Sequence, residues 1–166
     1  MYYPQVRMRR LRSSQKIRDM VAETRLDPSE LVLPLFFDAN IDSPRMTESM
    51  PGVVTYPLSG YAEIAKELEE AGVGAVLVFG IPSAKDPVGS DAYSDTGVAQ
   101  EAIRGLKAVS DLLVIADLCM CEYTDHGHCG VLDGHGSVVN DDTIDLYGKI
   151  AVSQARAGAD MVAPAA

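Results

Sequence analysis

All three cysteines of this 166-residue chain fall within eleven residues, in the segment Asp117-Leu-Cys119-Met-Cys121-Glu-Tyr-Thr-Asp-His126-Gly-His128-Cys129. Thiols gathered beside an aspartate and two histidines form a donor set for a soft or borderline divalent ion, and zinc is the first choice. The spacing C-x-C-x7-C departs from the common structural zinc motifs, which supply four ligands. Three protein ligands leave one coordination position open, the condition under which zinc acts as a Lewis acid on a substrate oxygen. His128, next to Cys129, reads either as a fourth ligand or, pointing away, as a donor behind the ligands. His126 and His135 read as loop residues. The plainer alternative makes Cys119 and Cys121 small buried hydrophobes and Cys129 a stray loop residue. A disulfide is disfavoured, because Cys119 and Cys121 would point the same way along one strand and nothing else indicates an oxidising compartment.

Something must bring these groups together. The aliphatic run Leu112-Leu-Val-Ile-Ala116 reads as a buried strand. Strand side chains alternate, so Asp117, Cys119 and Cys121 are expected to leave its end on one face, and Gly127 and Gly130 let the chain fold Cys129 back toward them. Strands are predicted at Leu31–Phe37, Val73–Phe79, Leu112–Leu118 and Asp160–Ala163, each apolar without polar alternation, as when both faces are covered. Helices lie between them. Ser59 is placed to cap one through Ala71, with Ile64, Ala65, Leu68 and Ala71 on one face and Gly72 as the stop. Thr96 is placed to cap a second through Val109, presenting Ala99, Ala102, Ile103 and Leu106. Asn140 is placed to cap a third, with Asp141 and Asp142 at its positive end and Ile144, Tyr147, Ile150 and Ala151 inward.

Two helix exits match, Glu70-Ala-Gly-Val-Gly-Ala-Val and Arg156-Ala-Gly-Ala-Asp-Met-Val. Ala-Gly feeding a hydrophobic strand is a repeated βα signature. Strands so joined belong to a doubly wound sheet or a (β/α)8 barrel, and the long segments Asp38–Leu58, Gly80–Asp95 and Cys119–Asn140 all follow strand C-termini. The cysteines therefore lie on the face where barrels carry function. No glycine-rich dinucleotide fingerprint follows the first strand. Eight such steps need on the order of 320 residues, whereas four fit here. Half a barrel is expected to show open edges and an uncovered apolar interior.

Composition sets the remaining bounds. With 47% hydrophobic and 23% charged residues the chain is an ordinary globular one. No apolar run reaches the roughly 18–20 residues of a membrane span and no signal core opens the sequence, so a cytoplasmic location and no membrane partner are expected. The net charge is −10, but residues 1–25 carry seven Arg or Lys against Asp19 and Glu23, leaving 7 basic against 22 acidic residues elsewhere. An acidic body argues against nucleic acid. The basic segment interleaves Leu11, Ile17, Met20 and Val21, which suits an arm docking on an acidic neighbouring subunit as well as a solvated end.

Residues Asp117 to Gly130 resemble the zinc-site segment of the porphobilinogen synthase family, also called delta-aminolevulinic acid dehydratase. The likeness continues, in order, through Arg9-Arg-Leu-Arg12, Leu31-Val-Leu-Pro-Leu-Phe36, Phe79-Gly-Ile-Pro82, Lys85-Asp-Pro-Val-Gly-Ser-Asp-Ala-Tyr93 and Ala157-Gly-Ala-Asp-Met-Val-Ala-Pro164. It implies an N-terminal arm (residues 1–28) and the first four βα units of a (β/α)8 TIM barrel (29–166), in octamers whose arms embrace neighbours. It implies an enzyme that condenses two molecules of 5-aminolevulinate to porphobilinogen for haem and other tetrapyrroles. Carried over by position, Cys119, Cys121 and Cys129 would ligate zinc, with Asp117 and His128 near the metal and magnesium as an additional ion. The family's two Schiff-base lysines lie in its second half, and none of Lys16, Lys66, Lys85, Lys107 or Lys149 occupies a matching place. Where the family reads Ala-Pro-Ser, this chain reads Ala163-Pro-Ala165. Residues 1–166 by themselves are thus expected to lack catalysis. Two alternatives remain, a non-catalytic zinc-binding or assembly module and an unrelated Lewis-acid zinc enzyme.

Overall fold

The computed structural model describes residues 2, 4–6 and 9–165. Arg7 of the basic segment and Ala166 at the Ala-Pro-Ala departure lie outside them. Six strands form one sheet in the order β2-β3-β1-β4-β5-β6, where β1 is Val32–Asp38, β2 Arg45–Met46, β3 Val54–Pro57, β4 Ala75–Ile81, β5 Leu113–Leu118 and β6 Met161–Pro164. The four strands predicted from apolar runs are β1, β4, β5 and β6, and they pair in parallel in that order. Helices α2 (Tyr61–Glu70), α3 (Val98–Val109) and α4 (Asn140–Ala157) make the crossovers, and the short α1 (Gln15–Met20) precedes the sheet. This is an α/β, partial-barrel architecture.

One face of the sheet carries the core. Leu35, Phe37, Val76, Val78, Val114, Ala116 and Leu118 point toward the helices and are almost wholly buried. Against them pack Ile64 and Leu68 of α2, Ala102, Ile103 and Leu106 of α3, and Ile150 of α4. Burying each large aliphatic side chain contributes about 1.5–3 kcal/mol, so this layer holds the crossovers to the sheet. The opposite face carries Phe36, Leu77, Phe79, Ile115 and Asp117, all only half-buried. Phe36 and Phe79 are register partners and stack there with centroids 4.9 Å apart.

Two strands interrupt the segment 38–58 that the sequence reading leaves as a loop. β3 pairs in parallel with Phe36–Asp38 and β2 pairs antiparallel with β3. Four and two residues are too short to show a period, and β3 ends on Pro57, which has no ladder N–H. The edge of β1 is therefore covered at its C-terminal end, while Val32 and Leu33 stay exposed.

All three predicted caps need correction. Ser59 lies inside a 3₁₀ turn, Leu58–Gly60, so it lacks the extended backbone a cap residue needs. At α3 the Val98 N–H donates to the Asp91 carboxylate at 3.2 Å, while Thr96 bonds Ser94. Asn140 is already inside α4, behind Val139. The inward face of α4 is also more polar than predicted. Ile144 stands exposed, whereas Thr143, Ser153 and Gln154 are buried. Their hydrogen bonds explain the exchange: Thr143 Oγ1 donates to the Val139 carbonyl, and Gln154 Nε2 donates to the Asp117 carbonyl at 2.6 Å. Hydrophobic periodicity carries no record of such bonds.

Near the N-terminus, Ser14 caps α1 by accepting from Ile17 N at 3.3 Å, and neither α1 nor the preceding turn Arg10–Arg12 buries a residue. Asp27 and Glu30 form a capping box around the turn Pro28–Glu30, where the chain meets the barrel layer. Among the described residues, no helix is long and apolar enough to cross a membrane.

Candidate metal centre

β5 ends at Leu118, and the chain then turns sharply. Tyr123 N and Thr124 N both donate to the Met120 carbonyl at 2.9 Å, and Met120 itself is fully buried. Cys119 and Cys121 therefore sit on this turn and not on a strand, which corrects the alternation argument while keeping its outcome. Their sulfurs lie 3.4 Å apart. Cys129 returns on the following loop, so that all three Sγ atoms fall within 4.8 Å of one another. Zinc–sulfur bonds of about 2.3 Å in a tetrahedron set sulfurs about 3.8 Å apart, which falls between the 3.4 Å pair and the 4.8 Å limit on all three. Cys119 is buried and the other two are partly exposed, leaving the cluster open on one side.

The electrostatics also favour a cation. Burial, with the nearby Glu122 charge, pushes the Asp117 carboxyl up to about 6. Burial also raises the Cys121 thiol well above its ordinary range, helped by its hydrogen bond to Glu122 Oε2 at 3.1 Å. A hydrogen bond with Cys119 leads the causes that raise Cys129. The carboxylate common to all three, Glu122, is negative and raises each of them. Such a cluster resists ionisation until a positive ion offsets it. The three thiols thus fit zinc in type, number and spacing, and they are the residues that would hold it. Among the described residues this is the one group of three or more His, Cys, Asp or Glu donors brought together.

His128 is exposed and outside the sulfur cluster, its ring 5.6 Å from that of His126. His135 lies in an exposed turn, its N–H donating to Asp133. Asp117 leaves β5 on the half-buried face. Three contributors escaped the sequence reading. Glu122 contacts Cys121, and its adjacency was the available signal. Tyr147 donates its hydroxyl to the Cys129 carbonyl at 2.9 Å, and the Thr124 hydroxyl donates to the His128 carbonyl at 2.9 Å. Helical spacing marks Tyr147 only as an inward α4 position.

Residues 5–166 match the family model described as delta-aminolevulinic acid dehydratase. The chain is 46% identical over 164 residues to the delta-aminolevulinic acid dehydratase of Methanothermus sociabilis, covering 99% of this chain and 51% of that protein. It is 45% identical over 159 residues to the Bacillus subtilis protein of the same name, covering 95% and 49%. The chain spans about half the length of the curated relatives it matches. In three dimensions it superposes on the delta-aminolevulinic acid dehydratase (porphobilinogen synthase) of Toxoplasma gondii ME49, solved with the reaction product porphobilinogen. The TM-score is 0.85 at 34% identity, over 99% of this chain and 48% of the other. Family model, curated relatives and superposition agree, and the chain belongs to the delta-aminolevulinic acid dehydratase family.

Proposed function

We propose that residues 1–166 supply the metal-bearing half of a porphobilinogen synthase, which condenses two 5-aminolevulinate molecules to porphobilinogen. The observation that carries this reading is the convergence of Cys119, Cys121 and Cys129 within 4.8 Å at the C-terminal end of β5. Bound there, zinc would supply Lewis acidity toward a substrate carbonyl oxygen. The chain's own residues do the rest of this half's work. The three thiols set the position of the ion, and the Met120 turn fixes two of them. Asp117 brings an acidic group to the interior face, one residue from the turn and on the side where a reactant would lie. The half-buried row Phe36, Phe79 and Ile115 walls that side with apolar surface and limits water. Assembly through the exposed basic segment 9–25 belongs to the same proposal, with the acidic body of a second copy as its partner.

The test has two readouts. One zinc per chain is expected, and a Cys119→Ala, Cys121→Ala double variant should lose it; unchanged zinc content removes the metal assignment. Residues 1–166 given 5-aminolevulinate and zinc should make no porphobilinogen, and borohydride should trap no specific lysine adduct, because imine anchors need amine nucleophiles of lowered pKa. A polypeptide carrying the remaining βα units should restore turnover. Stoichiometric modification of Lys85, Lys107 or Lys149 with turnover would overturn the half-site reading. Zinc bound without turnover in the completed complex would identify a non-catalytic zinc-binding and assembly module instead.

A further inference from the structure

Two of the three thiols are fixed by a local turn, but Cys129 is eight residues away on an exposed loop and needs something else to bring it back. The loop after β4 braces the segment that leads back to it, at residues 123–126. There the Asp86 carboxylate accepts from Val88 N at 2.9 Å, from Ser90 N at 3.2 Å and from the Ser90 hydroxyl, closing a compact turn. The backbone of that turn pairs with the cysteine segment: Asp86 N donates to the Tyr123 carbonyl at 3.3 Å, and Asp125 N donates to the Asp86 carbonyl at 3.2 Å. Gly89, in the left-handed region at φ 56°, lies against Tyr123 and Thr124, where a Cβ would come within 3.2 Å of Tyr123 Cβ.

A second bridge runs through the His126 ring. Its Nε2 lies 3.2 Å from the Pro87 carbonyl, while His128 N donates to its Nδ1 at 3.2 Å. Both bonds form together only in the neutral tautomer with hydrogen on Nε2. His128 is thus held at its N–H by His126 and at its carbonyl by Thr124, and the next residue is Cys129.

We propose that the Asp86 turn of the second βα unit and the His126 ring that meets it act as a strap that positions Cys129 for metal binding, with Asp86 and His126 as positioning residues. The strap rests on the metal-centre reading above. No ligand role is assigned to either side chain; His126 acts through the backbone of residue 128, and Asp86 through the turn whose backbone pairs with Tyr123 and Asp125. Groups that orient metal ligands without touching the metal typically cost about 10- to 100-fold in affinity when removed.

The experiment uses the full chain and cobalt(II) as a spectroscopic probe, with thiolate-to-cobalt charge transfer reporting how many sulfurs bind. Zinc affinity is measured by competition with a chromophoric chelator. Asp86→Ala and His126→Ala should each weaken zinc binding by about 10- to 100-fold and reduce the charge-transfer intensity toward that of a two-thiolate site. Asp86→Asn, which keeps an acceptor for Val88 N and Ser90 N, should recover most of both. If Asp86→Ala fails to fold by circular dichroism, His126→Ala and the isosteric Thr124→Val carry the comparison. Wild-type affinity and three-thiolate intensity in His126→Ala and Thr124→Val would overturn the strap. Absence of any thiolate band in the wild-type chain would overturn the metal centre itself, a distinct result.

Discussion

Cys129 differs from its two partners in what holds it. Cys119 and Cys121 inherit their places from the end of β5 and the Met120 turn, whereas Cys129 depends on hydrogen bonds to its neighbours and to its own carbonyl. The bond from Tyr147 is the one made by a helix, and it ties the loop to α4. Tyr147→Phe keeps the ring and removes the donor, so zinc should remain stoichiometric while its affinity falls about tenfold, as read by chelator competition. An unchanged affinity would mean that the loop bonds alone suffice. At this scale the sequence was informative about identity and silent about support. Clustered cysteines announce their chemistry by type, whereas Thr124 and Tyr147 act through single hydrogen bonds and Asp86 through a local turn, none of which leaves a pattern in the sequence.

Among the elements, α3 is the keystone of the helical layer. Ile103 is wholly buried between the sheet and its neighbouring helices. Ile103→Ala removes that packing and should cost about 2–5 kcal/mol of stability by urea unfolding. At the opposite end of the strands, Asp160 ties β5 to the crossover that follows α4. Its carboxylate accepts from Val114 N at 2.8 Å and from Lys107 Nζ at 3.0 Å, and the backbone bond leads the causes that hold it below the usual carboxylate range. A depressed folded-state value adds stability above the unfolded value near 3.9 and loses it as pH falls through the lower folded one. Asp160→Asn should therefore lower the urea midpoint at pH 7, with the gap to wild type closing below about pH 4. A gap independent of pH would assign the effect to packing. β1, β4, β5 and the three crossover helices were legible because continuous apolar runs and amphipathic periods extend over six or more residues, and the four-residue β6 because it follows the repeated Ala-Gly helix exit. β2 and β3 were not, because they are short, follow no such exit, and owe their pairing to β1 and to each other. The caps failed for a related reason, since 3₁₀ turns and the distant carboxylate of Asp91 displaced the nearest Ser, Thr or Asn.

In the whole molecule, the two faces of the sheet stand in unequal conditions. Helices close one face, while the other leaves a row of aromatic and aliphatic side chains half-covered, and Leu11 and Met20 of the basic segment, with Leu26 just after it, stand exposed. Deleting residues 1–18 should lower the assembly order seen by light scattering and leave zinc content unchanged. A monodisperse wild-type monomer at micromolar concentration would contradict the proposed assembly.

The closeness of the three sulfurs along the chain has a thermodynamic consequence. Eleven residues cannot separate far on unfolding, so the denatured ensemble keeps much of its avidity for the proposed ion. A ligand stabilises a fold only by the difference between its affinities for the two states. Two sulfurs in a tight turn contribute little to that difference. It resides instead in the return of Cys129, which the random chain must achieve against loop entropy and the folded chain has already achieved. The rise in melting temperature on adding zinc would then report the preorganisation of one cysteine rather than the strength of three metal–sulfur bonds.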